Sequence, residues 1–347
     1  MPYTTYHFIP HSAVCFGMTD SAESESPVDS AVGAASSQAI EAFATLGNET
    51  RLAILLALWE AYEPISGEHS VTFSALRERV GIRDSGQFNY HLDQLTGRFI
   101  RSTDTGYELK ESGQTLIRTV IAGAGLGETS RPPTDVELPC NRCGAHPVAV
   151  SYEEESIYLK CNSCDGFASI GDFPSGTLAV WHLAPAGLVD RDTAELLVAS
   201  SVAEDNRVRS MNQGVCPDCS GSVTTSVHLC DDHTPGSETV CSNCGRRDSA
   251  RVRYVCTVCK NWNAVPIQVA VHDHPAVVSF YYERGIDMNY QVGDIDEFCQ
   301  VWEYLWEQDH AIDSTDPVRV RVTIPCAGDE LHVVLDDTLT VIDISEQ

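Results

Sequence analysis

The hydrophobic pattern is absent at the start of the chain and becomes regular near residue 36. Residues 19–37 mix Ser, Ala, Glu and Asp without apolar spacing, so residues 1–37 are expected to form a disordered acidic lead-in. Apolar residues then recur at steps of three and four. Ile40, Phe43 and Leu46 form one stripe, and Gly47-Asn48 interrupts it. Residues 49–62 place Leu52, Leu55, Leu56 and Trp59 on one face of a second helix, with Asn48 as its cap. Residues 71–73 are a short strand candidate. Ser74 is expected to cap a third helix that carries Leu76 and Val80 and ends at Gly81. Asp84 or Ser85 caps a fourth, whose inner face is Phe88, Leu92 and Leu95. Alternation over 99–103 and 107–110, around Asp104-Thr105-Gly106, predicts a hairpin, and residues 112–122 a closing helix with Leu116, Val120 and Ile121. That order of elements is a winged helix-turn-helix.

After this block, Gly127, Pro132 and Pro133 mark a linker over residues 126–137. Strands are expected at 147–152 and 156–160, and a helix at 190–205 bearing Ala194, Leu197, Val198 and Val202. Further helices are expected at 275–284 and 294–307, and strands at 318–324, 331–335 and 338–344. Trp302, Tyr304 and Trp306 fit a core, a dimer interface or a pocket lining, with core as the default. The fold class is α+β. A winged helix-turn-helix at 38–125 is followed by a zinc ribbon with a helix at 138–210, a second Cys/His cluster at 211–264, and a small α+β region at 265–347.

The cysteines add the chemistry. Ten of the fourteen fall into five Cys-x-x-Cys pairs: Cys140/Cys143, Cys161/Cys164, Cys216/Cys219, Cys241/Cys244 and Cys256/Cys259. Cys230 and His233 repeat the step with an imidazole. Two thiolates three positions apart sit on one tight knuckle, and a second knuckle completes a tetrahedron around Zn²⁺. Gly144 and Gly245 follow the second Cys of their pairs, where a left-handed turn is needed. Cys140/Cys143 with Cys161/Cys164 therefore form a ribbon site. The remaining eight ligands provide two further sites. Sequential pairing joins Cys216, Cys219, Cys230 and His233, then Cys241, Cys244, Cys256 and Cys259, while interleaved or nested pairing is equally allowed by counting. A leaner possibility is a single ribbon from Cys216/Cys219 and Cys256/Cys259 with the inner groups unmetallated, so the expected content is one to three Zn per chain. His233 is the weakest ligand, because Asp231-Asp232-His233 also reads as an exposed acidic loop. Four-ligand sites are closed and structural. With no Gly-rich phosphate loop or nucleophile elbow in the sequence, no enzymatic activity is expected. Cys15, Cys299 and Cys326 lie outside the pairs, and Cys299 is expected to pack as a small apolar residue.

Leu46-Gly47-Asn48-Glu49-Thr50-Arg51-Leu52-Ala53-Ile54-Leu55 and Gln87-Phe88-Asn89-Tyr90-His91-Leu92-Asp93-Gln94-Leu95 resemble the two signature stretches of ArsR-type transcriptional regulators. The likeness covers about residues 38–125. The Cys-rich middle and His274-Pro275-Ala276-Val277-Val278-Ser279-Phe280-Tyr281-Tyr282 are similar to the extension found on haloarchaeal members of that group. The resemblance implies a dimer on double-stranded DNA with residues 85–96 as the recognition helix. Gln87, Asn89 and Tyr90 would meet base edges and Arg83, Arg98 and Arg101 phosphates, with Ser85 at the helix start also among the DNA-binding residues. For Gln87 and Asn89 the bland alternative is a solvated polar face, and His91 reads as a packing residue. One departure matters: metal-sensing members carry Cys-x-Cys in the helix before the recognition helix, whereas residues 74–80 here read Ser-Ala-Leu-Arg-Glu-Arg-Val. Metal sensing is not carried over at that position.

Charge changes the picture last. Asp+Glu number 50 against Lys+Arg 22, for a formal charge of -28, and only Lys110, Lys160 and Lys260 are lysines. Such a surface suits salt-loaded cytoplasm, where charges are screened within about 3 Å at 1 M salt; a merely acidic protein of ordinary cytoplasm is the alternative. Residues 39–125 hold 8 Lys+Arg against 11 Asp+Glu, a net of −3, so the acidity is concentrated elsewhere. No run approaches the about 18 apolar residues of a membrane helix, and residues 1–17 lack signal-peptide character. A cytoplasmic location is expected, with translation starting at Met18. The leading functional expectation is a sequence-specific regulator whose zinc-bearing extension senses a small-molecule or protein effector, or extends the dimer. The alternative is a basal transcription or RNA-associated zinc-ribbon factor using Arg246, Arg247, Arg251 and Arg253, although those arginines also suit pairing with nearby carboxylates.

Overall fold

The computed structural model describes residues 36–65, 69–124, 130–167, 173–233 and 240–347. Expectations placed on residues 1–35, including Cys15 and Met18, lie outside the described residues. The chain divides after Arg118 into two compact units, both of mixed α+β character.

In the first unit, α1 (Ser36–Leu46), α2 (Glu49–Glu60), α3 (Phe73–Val80) and α4 (Ser85–Leu95) precede the antiparallel hairpin β1 (Ile100–Thr103) and β2 (Gly106–Leu109), and α5 (Glu111–Thr119) follows. Caps set the boundaries. Asn48 accepts from the Arg51 amide, Thr72 from Ala75 and Asp84 from Gln87, each side-chain oxygen satisfying an otherwise orphaned helix N–H. The cap of α3 is therefore Thr72 and not Ser74, and the strand expected at 71–73 reduces to one bridge between Val71 and Tyr107. Gly81 ends α3 at φ 78°. Phe88, Leu92 and Leu95 are fully buried with Leu55, Leu58, Leu76 and Ile100, and His91 packs beside them.

Two helix faces differ from the periodic reading. In α2 the buried side is Ile54, Leu55, Ala57 and Leu58, while Leu52 and Leu56 are exposed. The sequence ETRLAILLALWE is apolar almost all round, so spacing alone admits several faces and neighbouring helices select one. The closing helix buries Gly113 and Ile117. Val120 and Ile121 fall in a π-turn beyond it and stay exposed.

The second unit begins with a four-stranded antiparallel meander, β3 (Arg131–Val136), β4 (Val148–Glu153), β5 (Ser156–Lys160) and β6 (Thr177–His182), in that spatial order. Half of the segment expected as a linker at 126–137, residues 131–136, is thus strand. Pro132 and Pro133, residues typical of a linker, are tolerated in it because β3 is an edge and the register skips from Arg131 to Thr134. Then come α6 (Thr193–Asn212), the sheet β7 (Val223–Leu229), β8 (Ala250–Cys256) and β9 (Trp262–Pro266), the helices α7 (Ile267–Val271), α8 (Pro275–Glu283) and α9 (Ile295–Glu307), and a second meander, β10 (Asp309–Thr315), β11 (Val318–Cys326), β12 (Asp329–Leu335) and β13 (Val341–Glu346).

Helix α6 carries a complete capping box, Asp192 with Glu195, and at 20 residues runs about 30 Å. It joins two cores. Its Leu196, Leu197 and Val198 pack with β4, β5 and, from α9, Phe298 and Trp302. Its Val208 and Met211 pack with β8, α8, β11 and β12. Cys299 and Cys326 lie within these apolar clusters, Cys299 half-buried and Cys326 buried. No helix among the described residues is long and apolar enough to cross a membrane.

Candidate metal centres

Among the described residues three four-ligand clusters form, and in each every ligand atom lies within 4.8 Å of the others. The first unites Cys140, Cys143, Cys161 and Cys164, as the spacing predicts. The eight remaining ligands pair in nested order: Cys216, Cys219, Cys256 and Cys259 make an outer site, and Cys230, His233, Cys241 and Cys244 an inner one. Sequential pairing is not found, and the inner ligands converge as closely as the outer ones.

The reason is the β7–β8 ladder. Val223 opposes Cys256 at one end and Leu229 opposes Ala250 at the other. Antiparallel pairing brings the chain entering β7 beside the chain leaving β8, and the chain leaving β7 beside the chain entering β8. The knuckle at Cys216/Cys219 must then meet Cys256/Cys259. Seven residues of strand, about 20 Å, keep the two sites apart.

The knuckles share one construction. The amides of Cys140, Cys216, Cys241 and Cys256 each donate to the carbonyl five residues on, at Ala145, Gly221, Arg246 and Asn261, over 2.8 to 2.9 Å. The residue after the second Cys takes the left-handed conformation in all four: Gly144 at φ 69°, Ser220 at 58°, Gly245 at 64° and Lys260 at 63°. Glycine is the low-strain choice there, as the sequence suggests for two of them. The fifth knuckle leans on β6 instead. The Cys161 amide donates to Gly176 O, an approach so close that a Cβ on Gly176 would lie 2.1 Å from Cys161 O.

Distances identify what the clusters fit. Sγ separations are 3.8 Å for Cys140–Cys164, 3.6 Å for Cys143–Cys161, 3.6 Å for Cys216–Cys259, 3.5 Å for Cys219–Cys256 and 4.0 Å for Cys230–Cys241. A disulfide needs about 2.05 Å. Four thiolates at about 2.3 Å from a central ion stand about 3.8 Å apart at tetrahedral angles. His233 presents Nε2 at 3.0 Å from Cys244 Sγ, and Asn243 donates to Asp232 at 2.6 Å beside it, so the acidic loop steadies the histidine. All twelve residues would hold metal in closed sets of four.

The knuckle amides also prepare thiolates. Burial opposes ionisation of Cys216, yet the N–H groups of Cys219 and Asp218 and the Asn261 amide bring it down to about 6. The amides of Cys259 and Val258 lower Cys256, and those of Cys244 and Asn243 lower Cys241. Hydrogen bonds to the charged form favour it, and thiolate is the form that ligates. Burial pushes Cys140 up to about 12; a bound cation would offset that cost.

The residues singled out for DNA lie in the first unit. Arg83, Ser85, Gln87, Asn89 and Tyr90 are exposed on or just before α4, opposite its buried face. Arg98 and Arg101 are engaged within the chain, Arg98 with Glu41 at 2.8 Å and Arg101 with Glu108 at 3.2 Å, and Asn89 donates to Asp93 at 2.9 Å. In the second unit Arg251 pairs with Asp248 at 2.7 Å, and Arg247 donates to Gly166 O at 2.8 Å. The strands that impose the nested pairing were missing from the periodic reading. Their signal was the alternation of Val223, Thr225, Val227 and Leu229 against Val252, Tyr254 and Cys256.

A family described as a domain of unknown function (DUF7351) matches residues 137–341, more than half of the chain, and the chain belongs to it. A second, also described as a domain of unknown function (DUF7347), matches residues 39–120. No curated protein and no solved structure matches the chain.

Proposed function

We propose that this DUF7351 member is a sequence-specific DNA-binding regulator of ArsR-like, winged helix-turn-helix type, with zinc as the structural metal of all three closed centres. The observation that carries the reading is the two-sided α4. Phe88, Leu92 and Leu95 are fully buried, while Gln87, Asn89 and Tyr90 stand in solvent on the other side, ahead of a hairpin suited to be the wing. Gln and Asn are the side chains that pair bidentately with adenine. Phe43, Leu52 and Leu56 are apolar and exposed on α1 and α2, a surface that a second copy of the chain would cover in a dimer. The ribbon arginines support the alternative, an RNA-associated factor, less well, because Arg247 and Arg251 are already engaged.

The cysteine-rich ligand sets support zinc over the harder cations. With four protein ligands each, the centres are read as supports for the fold, and no catalytic step is assigned to them.

Footprinting of the full chain on genomic DNA in molar KCl tests the reading. Discrete palindromic sites are expected, and Gln87→Ala with Asn89→Ala should relax their sequence preference by about 1 to 3 kcal/mol per lost base contact. Uniform coverage, or no protection, rejects it.

A further inference from the structure

The second unit contains a cavity of about 490 Å³, within the range of small-molecule sites. It lies where α6 passes from one core to the other. Ser201, Glu204 and Asp205 of α6 face β6, β9, α7 and α9 across it. Its walls are rich in aromatic side chains. Phe298 stacks on Trp302 and Phe167 on Trp306, with Trp181 edge-on to Trp302.

Buried polar atoms on wall residues that lack a hydrogen-bond partner in the protein include Trp302 Nε1, Trp306 Nε1, Gln268 Oε1 and Gln308 Oε1, and also Nε of the otherwise ion-paired Arg251. Trp302, Gln268 and Gln308 are 5%, 6% and 6% exposed. Buried polar atoms are nearly always paired in folded proteins, and cavities that stay empty are apolar. The indoles and Arg251 Nε are donors, and the two glutamine oxygens are acceptors. The charged groups are largely satisfied. Arg251 pairs with Asp248, Glu204 accepts from Asn263 at 2.7 Å, and Asp205 accepts from Tyr290.

We infer that this cavity is a binding site for a neutral, planar heteroaromatic small molecule carrying both a carbonyl-type acceptor and an N–H donor. The aromatic walls take its rings, the indole N–H groups its acceptor, and the glutamine oxygens its donor. The assignment stands independently of DNA binding by the first unit, since every group it uses lies in the second.

The test uses the full-length, zinc-loaded protein and the lactam 2-quinolinone, followed by tryptophan fluorescence and thermal melting. Naphthalene has the shape without the polar edge. The 2-naphthoate anion would instead exploit Arg246, which also lines the wall. Saturable one-to-one binding of quinolinone is expected, at least about ten-fold tighter than either comparator. Trp302→Phe keeps a ring and removes the donor. It should weaken quinolinone by about three- to ten-fold, the worth of one neutral hydrogen bond, and leave naphthalene unchanged. If that variant fails to fold, Gln268→Met serves for the same comparison. No saturable binding, equal binding of naphthalene, tighter binding of naphthoate, or an undiminished affinity in a folded variant overturns the inference. A normal footprint beside any of these results would leave the DNA reading standing, and its loss with quinolinone still bound would leave the cavity standing.

Discussion

Cys219 and Cys256 place their Sγ atoms 3.5 Å apart although 37 positions separate them in sequence. They belong to one metal centre because β7 and β8 run antiparallel between the knuckles. The same ladder holds Cys230 and Cys244 in a common inner site at its other end.

Metal content distinguishes this nesting from sequential pairing. The wild type should carry three zinc ions, and Cys230→Ala combined with Cys244→Ala should lower that to two, because both ligands serve the inner site. Under sequential pairing the same pair would disable two sites and leave one. The inner site is the one to remove, since it closes the far end of a hairpin whose strands also pack into a core. Losing the outer or first centre would forfeit a binding energy of about 10 kcal/mol or more, comparable to the stability of a whole domain.

Glu204 makes stability depend on pH. Its carboxyl is held above the ordinary value, first by burial, with the Asn263 amide and Arg207 opposing. A carboxyl raised on folding contributes stability below its unfolded pKa and loses it as pH rises through the folded value. Glu204→Gln keeps an acceptor for Asn263 and never ionises. Its melting temperature should exceed that of the wild type at pH 8, and the gap should close as pH falls toward 5. A gap that is constant or widens toward acid would reject this account.

Gly106 is required by a close approach. It sits at φ 152°, and a Cβ there would lie 2.2 Å from Val71 O, beside the paired amides that tie Val71 to Tyr107 over 2.8 and 2.9 Å. Gly106→Ala should cost about 2 to 4 kcal/mol, roughly 8 °C or more in the Tm of the first unit. Gly47→Ala is the control: the added carbon would come no nearer than 3.4 Å, to Phe43 O. Equal melting of the two variants would show that the bridge does not constrain the hairpin.

The basic residues of the first unit should not be equivalent on DNA. Arg83 is exposed, whereas Arg101 is held by Glu108. Arg83→Ala is expected to weaken binding evenly across sequences and lower the salt slope by about one, and Arg101→Ala to do so less. Affinity measured between 0.5 and 2 M KCl checks this ordering.

Much of the first unit is legible in order. Asn48, Asp84 and Gly81 stand where helix-end chemistry puts them, and Phe88, Leu92 and Leu95 are spaced for one face. Where a segment is apolar on all sides, as α2 is, periodicity loses its power, and Leu52 and Leu56 end outside. The cavity was hardest to foresee. Phe298, Trp302 and Trp306 recur every four residues, which places them on one side of α9, but the same spacing describes an ordinary core stripe. Gln308 directly closes α9, but Gln268 comes from α7, and no spacing rule connects it to the stripe.

By itself, the sequence determined the ligand set, because a Cys-x-x-Cys step is local geometry: one tight turn, two thiolates on one side, and a residue after them that accepts positive φ. It also pointed to the cap at Asn48 and determined the uneven charge, which depends on residue type alone, whereas the cap of α3 fell on Thr72 and not on Ser74. Which knuckle meets which was decided only by tertiary structure, since eight ligands can be divided several ways and an antiparallel ladder permits one. The unpartnered indole N–H groups and glutamine oxygens likewise become a site only when α6, α7 and α9 converge, because burial without a partner is a property of the packed chain and of no single segment.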